Sequence, residues 1–458
     1  MTDTPAQRQS ADPTGPQPGR LDGNYFKLFG ASTISNLGDG IGIIAYPWLA
    51  SAITRNPLLI ALVAVVQRLP WLLFSLPAGV ITDRNDRRRL MIGANTIRTV
   101  VTLAIAFVVL ARQDALPGPN VVADAATAIS TDTALYALVL VATLLLGMSE
   151  VIYDNSAQTF MPAIVHADDL ERANGRLWSI ESVANTFVGP PLAALLIAVA
   201  FSLPFFVDAA TFAISAVLIS LIRPWPRTSG EKRAEHLPWT TELADGVRWL
   251  WRHDLLRALA IVLGLLNMLN TMALATFVLF GQEVLGTSAT EFALLGTGGA
   301  IGGIIGGWTA SAITKRIGEG ASLALTLVGG GATAIAIGLA SSWPIAWLMF
   351  ALSTVVVVLW NVITVSFRQR VIPDELLGRV NSVYRFFGWG MMPIGAALGG
   401  LIVVVTDAVA SRELALRMPW LVFGVSSILL LGYAGPRLTT AAFAAARLRA
   451  GEPLRTDG

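Results

Sequence analysis

The residues of this sequence that can do chemistry are charged groups set inside long apolar runs. Asp39, Arg68, Arg98, Glu150, Asp154 and Glu181 each interrupt a stretch otherwise made of aliphatic and small residues. A charge in hydrocarbon is costly and is kept when it has a partner or a function. Glu150 and Asp154 are four apart and therefore share one helix face. With Glu181 they set three acids against one base, Arg98. Repulsion between carboxylates in a low-dielectric site favours holding a proton on one of them. A proton held in one state and released in another is the requirement for coupling transport to a proton gradient. Glu150 is the first candidate for that carrier, Asp154 and Glu181 follow, and Asp39 is next, with Arg98 as the neighbouring base. A structural role, with these acids bonded to Arg98, Arg176 or loop amides, fits the same residues. Asp39 and Arg68 each lie about 20 Å along their helices from the same end. That depth predicts an intramembrane ion pair, Asp39 with Arg68, serving either coupling or simple neutralisation. Asp208 lies near the far end of its helix and is expected to snorkel to water.

Other chemistries are poorly served. The chain has no cysteine, which excludes thiolate metal sites and cysteine nucleophiles. Its three histidines, His166, His236 and His253, fall in loops or at interfaces without metal-ligand spacing. No nucleophile, base and metal set gathers at one place, so neither an enzyme nor a bound metal or cofactor is expected. The net charge of +2 is accounted for by basic loops rather than by a nucleic-acid partner.

The elements that must position these groups are membrane helices. Of 458 residues, 54% are hydrophobic and only 14% charged, with a mean hydropathy of +0.64. The apolar runs are about 18 to 25 residues long, the length a helix needs to cross the bilayer core. Helices are expected near 26–53, 57–81, 89–111, 134–160, 174–200, 203–222, 256–281, 290–314, 321–340, 343–367, 379–405 and 417–436. The fold class is thus all-α integral membrane, with twelve transmembrane helices in two six-helix halves. Residues 1–24 read as a disordered tail, 25–222 as the first half, 223–255 as a linker, 256–436 as the second half and 437–458 as a second tail. Within the linker, Leu243, Val247, Leu250 and Leu255 recur at near-helical spacing, with Trp249 and Trp251 suited to headgroups. This predicts an amphipathic helix on the membrane face. Arg84, Arg87, Arg88, Arg89, Lys315, Arg316, Arg368 and Arg370 fall in loops on one side, against Arg55, Arg112, Arg412 and Arg417 on the other. The positive-inside rule then puts both termini in the cytoplasm.

The two halves carry related segments. Arg172-Ala-Asn174 and Arg379-Val-Asn381 share one offset, and Gly189-Pro-Pro-Leu-Ala-Ala parallels Gly395-Ala-Ala-Leu-Gly-Gly at nearly the same one. Repeated halves with a site between them are a mark of secondary transporters. The segment Gly79-Val-Ile-Thr-Asp83-Arg84-Asn-Asp-Arg87-Arg88 resembles the signature loop of the major facilitator superfamily. Arg68-Leu-Pro-Trp, Pro204-Phe-Phe-Val-Asp208 and Leu377-Gly-Arg-Val-Asn-Ser resemble its enterobactin-exporter-like and macrolide-efflux-like branch. That resemblance implies proton-driven export, with Gly79, Asp83, Arg84, Arg87 and Arg88 as a gating loop. The second copy retains only Lys315-Arg316, so the gating role is carried to the first alone. Asp86 stands where the family loop has glycine, and is expected to take up the left-handed turn that glycine would adopt.

Gly189, Pro190 and Pro191 resemble the family's glycine-proline element and are expected to form a hinge. The pairs Gly302-Gly303 and Gly306-Gly307 have the spacing of ordinary close helix packing. By analogy with the family, helices 1, 4, 7 and 10 surround the cavity. On them Asn36, Tyr46, Asn267, Asn270, Trp360 and Asn361 are the substrate-cavity candidates, beside Asp39 and Glu150. Few charges with several amides and aromatics suit an amphipathic substrate. The expectation is a monomeric, multi-pass exporter in the cell membrane, moving drug-like or siderophore-like molecules by proton antiport. Proton-coupled uptake is the alternative, and a membrane sensor or embedded enzyme a further one. Its partners would be a small-molecule substrate, protons and the lipid bilayer.

Overall fold

The computed structural model describes residues 21–118, 131–166, 169–223, 247–372 and 374–449, apart from the side chains of a few residues within helices. Every regular element among them is helical. The chain runs through α1 (Gly23–Ile53), α2 (Pro57–Leu73), α3 (Ser75–Arg84), α4 (Arg87–Ala111) and α5 (Thr133–Phe160). It continues through α6 (Leu170–Ser182), a π-turn (Val183–Val188), α7 (Gly189–Val199) and α8 (Leu203–Ser220). After a short helical stretch at 247–252 come α9 (Asp254–Leu274) and a second π-turn (Phe280–Val284). Then follow α10 (Ala289–Leu339), α11 (Trp343–Val371), α12 (Asp374–Asp407), α13 (Arg412–Ala434) and α14 (Thr440–Arg449).

Nine helices among the described residues are long and apolar enough to cross a membrane. Their outward surface is what lipid requires: Trp308, Val199 and Leu429 are 82%, 77% and 71% exposed. The helix expected at 57–81 is broken, whereas the two expected at 290–314 and 321–340 run on from one another through a kink. Pro77 lacks the N–H that would bond the Leu73 carbonyl, so the chain turns at Phe74 and restarts as α3. The 51 residues of α10 form two rods that meet at Gly318, whose φ of 79° only glycine adopts freely. The last long helix starts at Arg412 rather than 417, because Ser411 caps it by accepting from the Leu414 N–H.

One group of rods comprises α1, α2 with α3, α4, α5, α6 with α7, and α8; the other comprises α9, both parts of α10, α11, α12 and α13. Inside the groups, close approach is made by glycine. Gly298, Gly302 and Gly306 of α10 leave no room for a Cβ against α11, the last held against Val355 and Val358. Gly189 of α7 presses on the Gly40 backbone of α1, and Gly395 of α12 presses on the Met268 carbonyl of α9. Those two contacts are equivalent, because each joins the fifth rod of its group to the first.

The hydrophobic cores are unevenly distributed. At the end carrying the loops 54–56 and 408–411, one continuous cluster includes residues of both groups, from Trp48 and Leu49 to Phe280, Phe292 and Trp420. Trp48 of α1 lies 5.6 Å from Phe292 of α10, ring to ring. Toward the chain termini the cores separate. One holds Tyr25, Met91 and Phe160 of the first group, and another holds Leu259, Phe367 and Phe443 of the second. The groups are therefore joined by buried apolar surface at one end and carry independent cores at the other. Of the expected linker helix, 247–255 falls among the described residues: 247–252 is helical, the helix breaks at His253 and Leu255 belongs to α9; Leu250 is fully buried and Trp249 stacks on His253.

Candidate functional site

Between the two groups lies a chamber of ≈ 450 Å³, lined by α1, α2, α4, α5 and α8 on one side and by α9 through α12 on the other. Asp39, Arg68, Arg98, Glu150 and Asp208 all reach its wall. The centre of the charge cluster is Arg98, whose side chain is only 3% exposed. It pairs with Asp39 and donates to Ser35 Oγ at 3.3 Å. Its guanidinium carbon sits 3.9 Å from the Phe212 ring centroid. Glu150, Asp208 and Asp154 all lie within electrostatic reach of the same guanidinium. One buried cation thus serves a ring of carboxylates.

This corrects the ion pair expected from helix depth, Asp39 with Arg68. Sequence neighbours α1 and α2 touch only slightly; α1 packs against α7 and α8, while α2 packs against α5 and α12. Arg98, on α4, reaches Asp39 past Phe212 of α8. Arg68 lines the same chamber without an ion pair to any described residue. Asp208 also departs from expectation. It is 2% exposed rather than snorkelling, and its Oδ1 is enclosed without a hydrogen-bond partner. Gly38 of α1 makes that position possible, since a Cβ there would lie 2.4 Å from the same oxygen. The signal available in sequence was that glycine, facing an acid on another helix.

The remaining acids are arranged around this centre. Asp154 is one helical turn from Glu150 towards the chain-terminal end, and Glu181 of α6 is half-buried within reach of Asp39 and Asp154. Neither lines the chamber.

The cavity candidates divide. Tyr46 and Asn270 line the chamber. Asn270 also lines a second cavity of ≈ 450 Å³ inside the second group, together with Asn267, Trp360 and Asn361. Asn267 donates to the Gly388 carbonyl at 2.9 Å, joining α9 to α12. Asn36 lines neither cavity; its amide turns back to the Ser32 carbonyl at 3.0 Å.

In the gating loop, Gly79 and Asp83 belong to α3, and their side-chain surroundings lie outside the described residues. Arg84 is exposed. Arg87 donates to the Thr159 carbonyl at 2.6 Å, and Arg88 to the carbonyls of Ile219 and Ser220. These carbonyls end α5 and α8, where a helix has unsatisfied acceptors and a negative dipole end. Asp86 is not in a left-handed turn. Its φ of −66° and ψ of 113° are extended, and its carboxylate accepts from the Arg89 N–H at 3.0 Å, capping α4. Aspartate stands there as a helix cap, for which no positive φ is needed. At the expected hinge, Gly189, Pro190 and Pro191 open α7 directly after the π-turn.

Opposite the gating loop, polar groups unforeseen as a set join the two groups of helices. Arg412 donates to Glu283 at 2.9 and 3.3 Å, to Asp407 at 3.1 Å and to the Arg55 carbonyl at 2.9 Å. Arg55 donates to Gln282 Oε1 at 2.7 Å, and the Gln282 amide donates to Ser51 Oγ at 2.9 Å. Arg55 and Arg412 were readable only as loop charges. Their meeting depends on the second π-turn, which presents Gln282 and Glu283.

Two helical groups enclosing a chamber with a cluster of charges on a mainly apolar wall, within an apolar outer surface, have the architecture of a membrane transporter. A profile match over residues 28–396 shows that the chain belongs to the Major Facilitator Superfamily. It is similar to the multidrug efflux pump Tap of Mycolicibacterium fortuitum, 24% identical over 426 residues, covering 88% of this chain and 94% of that protein. The Tap pump of Mycobacterium tuberculosis is 23% identical over 416 residues, covering 89% and 93%. In fold it resembles a bacterial homologue of the iron transporter ferroportin in its inward-facing state, with a TM-score of 0.64 at 17% identity over 88% of this chain and 98% of that one. The nucleoside transporter NupG gives 0.63 at 13%, covering 93% and 99%.

Proposed function

We propose that this transporter exports small amphipathic molecules, drug-like or siderophore-like, in exchange for protons. The observation that carries the reading is the shared chamber in which Asp39, Glu150 and Asp208 face the buried cation Arg98. A group that exchanges a proton between two facing states needs access to a water-filled space and a neighbour whose charge changes its proton affinity. Glu150 lines the chamber within electrostatic reach of Arg98, which is fixed on Asp39 and against Phe212. Asp154 and Glu181 extend the acidic path towards the chain-terminal end. The similarity to proteins named multidrug efflux pumps supports the export direction. We assign the chain-terminal end to the cytoplasm, with twelve crossings, and residues 25–222 and 256–436 as the two halves. The chain is read as a monomer. The conformation described here then opens inward, with the Arg412–Glu283 network closing the outside. Asp83 and its arginines would latch the opposite state.

The test is Glu150→Gln in proteoliposomes with an imposed pH gradient and ethidium as the transported probe. Uphill accumulation is expected to vanish while downhill exchange persists, because alternating access is retained. Undiminished pH-driven accumulation in that variant removes Glu150 from the carrier role. Absence of any pH dependence in the wild type removes proton antiport.

A further inference from the structure

The two cavities are sorted by charge. The chamber between the groups carries Asp39, Glu150 and Asp208 on its wall, whereas no aspartate or glutamate among the described residues lines the cavity of the second group. The one charged group there is Arg368, near the chain-terminal end of α11. It is half-buried, and its Nε is enclosed without a hydrogen-bond partner. Its guanidinium carbon lies 4.3 Å from the Tyr384 ring centroid. That ring is itself anchored, since the Tyr384 hydroxyl donates to the Leu256 carbonyl at 2.5 Å.

Arg68 also lacks an ion pair to a described residue, but it shares its chamber wall with Asp39, Glu150 and Asp208, and three other deeply placed arginines are paired directly. Arg98 has Asp39, Arg412 has Glu283 and Asp407, and Arg447 has Glu319. An aromatic face attracts a cation but does not neutralise it. A guanidinium already withdrawn from bulk water and lacking an acid is a receptor for one, because most of its desolvation precedes binding. Its planar fork matches a carboxylate. Around it the cavity supplies aromatic surface at Trp360 and Trp389 and polar groups at Asn361 and Ser353. A cavity of ≈ 450 Å³ lies in the range for a drug-sized molecule.

We propose that this cavity binds the carboxylate of an amphipathic organic acid, with Arg368 as its counter-ion and Trp360 and Trp389 against its apolar body. The transported molecules would then include aromatic acids. Transport of such acids rests on the exporter reading, but their binding is measurable without transport.

The full-length protein in nanodiscs is titrated with 1-pyrenebutyric acid and with its methyl ester, following energy transfer from tryptophan to pyrene. The two probes share one apolar body and differ at the head group, an anionic carboxylate against a neutral methyl ester. The acid is expected to bind about tenfold more tightly than the ester, as a charge-assisted bidentate contact allows. Arg368→Gln should remove that preference while leaving the ester unchanged, and Arg368→Lys should retain part of it. Asn361→Asp adds an internal carboxylate to the same cavity wall and should also suppress the preference without deleting the arginine. Equal affinity of the wild type for acid and ester overturns the proposal, as does a preference that survives Arg368→Gln. Glu150→Gln should keep the acid preference, so failure of proton coupling and failure of this subsite give different results.

Discussion

Arg98→Gln should destabilise the protein far more than Asp39→Asn, although the two residues form one ion pair. Arg98 is 3% exposed and Asp39 27%. Removing one member of a buried pair costs about 3–5 kcal/mol because the other is left uncompensated. Arg98→Gln incurs that in full, since Asp39, Glu150 and Asp208 lose the cation that faces them all. Asp39→Asn leaves a guanidinium that still has Glu150, Asp208 and the Phe212 face, so about 1–2 kcal/mol is expected. The double variant should lie well below the sum, with a coupling of about 1–2 kcal/mol. Asp39→Asn combined with Arg68→Gln should instead be additive within about 0.5 kcal/mol, as for residues without a shared contact. The assay is equilibrium unfolding in mixed micelles followed by tryptophan fluorescence, for which the chain offers 13 tryptophans. Equal losses in the two single variants would refute the shared-cation reasoning. Coupling between Asp39 and Arg68 but not Arg98 would show that helix depth, rather than the packing described, sets the pair.

Two further outcomes follow from the latch and from the α1–α7 contact. Arg412→Gln removes the donor that holds Glu283, Asp407 and the Arg55 carbonyl, and should weaken closure at that end by about 1–3 kcal/mol. A cysteine placed at Gly296, a chamber position with open space and the sole thiol in the chain, should then react about tenfold faster with an impermeant maleimide added from the latch side. An unchanged rate counts against the latch. Gly40→Ala sets a Cβ 2.5 Å from the Asn185 carbonyl oxygen, a backbone atom that cannot swing away, and should cost about 1–3 kcal/mol or more. Gly42→Ala, two residues along with nothing nearer than 3.5 Å, should be nearly neutral, and equal effects would show that the close approach is not what constrains α1.

The sequence by itself determined the class of this protein. Apolar runs of membrane length, a low share of charge and a repeated glycine-bearing segment dictate helices in two related groups, because each backbone group in lipid must bond within its own helix. It also named nearly all the charges of the site, since a charge within an apolar run is conspicuous wherever the helix finally sits. What it could not contain was which helices touch. The Asp39–Arg68 pair was inferred from depth and chain adjacency, but α1 lies against α7 and α8, so its acid meets Arg98. Asp208 looked accessible by its distance from a helix end, and only the packing of Gly38 against it shows that it is enclosed. The network opposite the gating loop has the same origin: Arg55, Glu283 and Arg412 are unremarkable loop residues until a π-turn and a shared aromatic core bring the two groups together. Helix formation is decided by local periodicity and solvent. Charge pairing is decided by lateral packing, which small residues scattered along several helices set jointly.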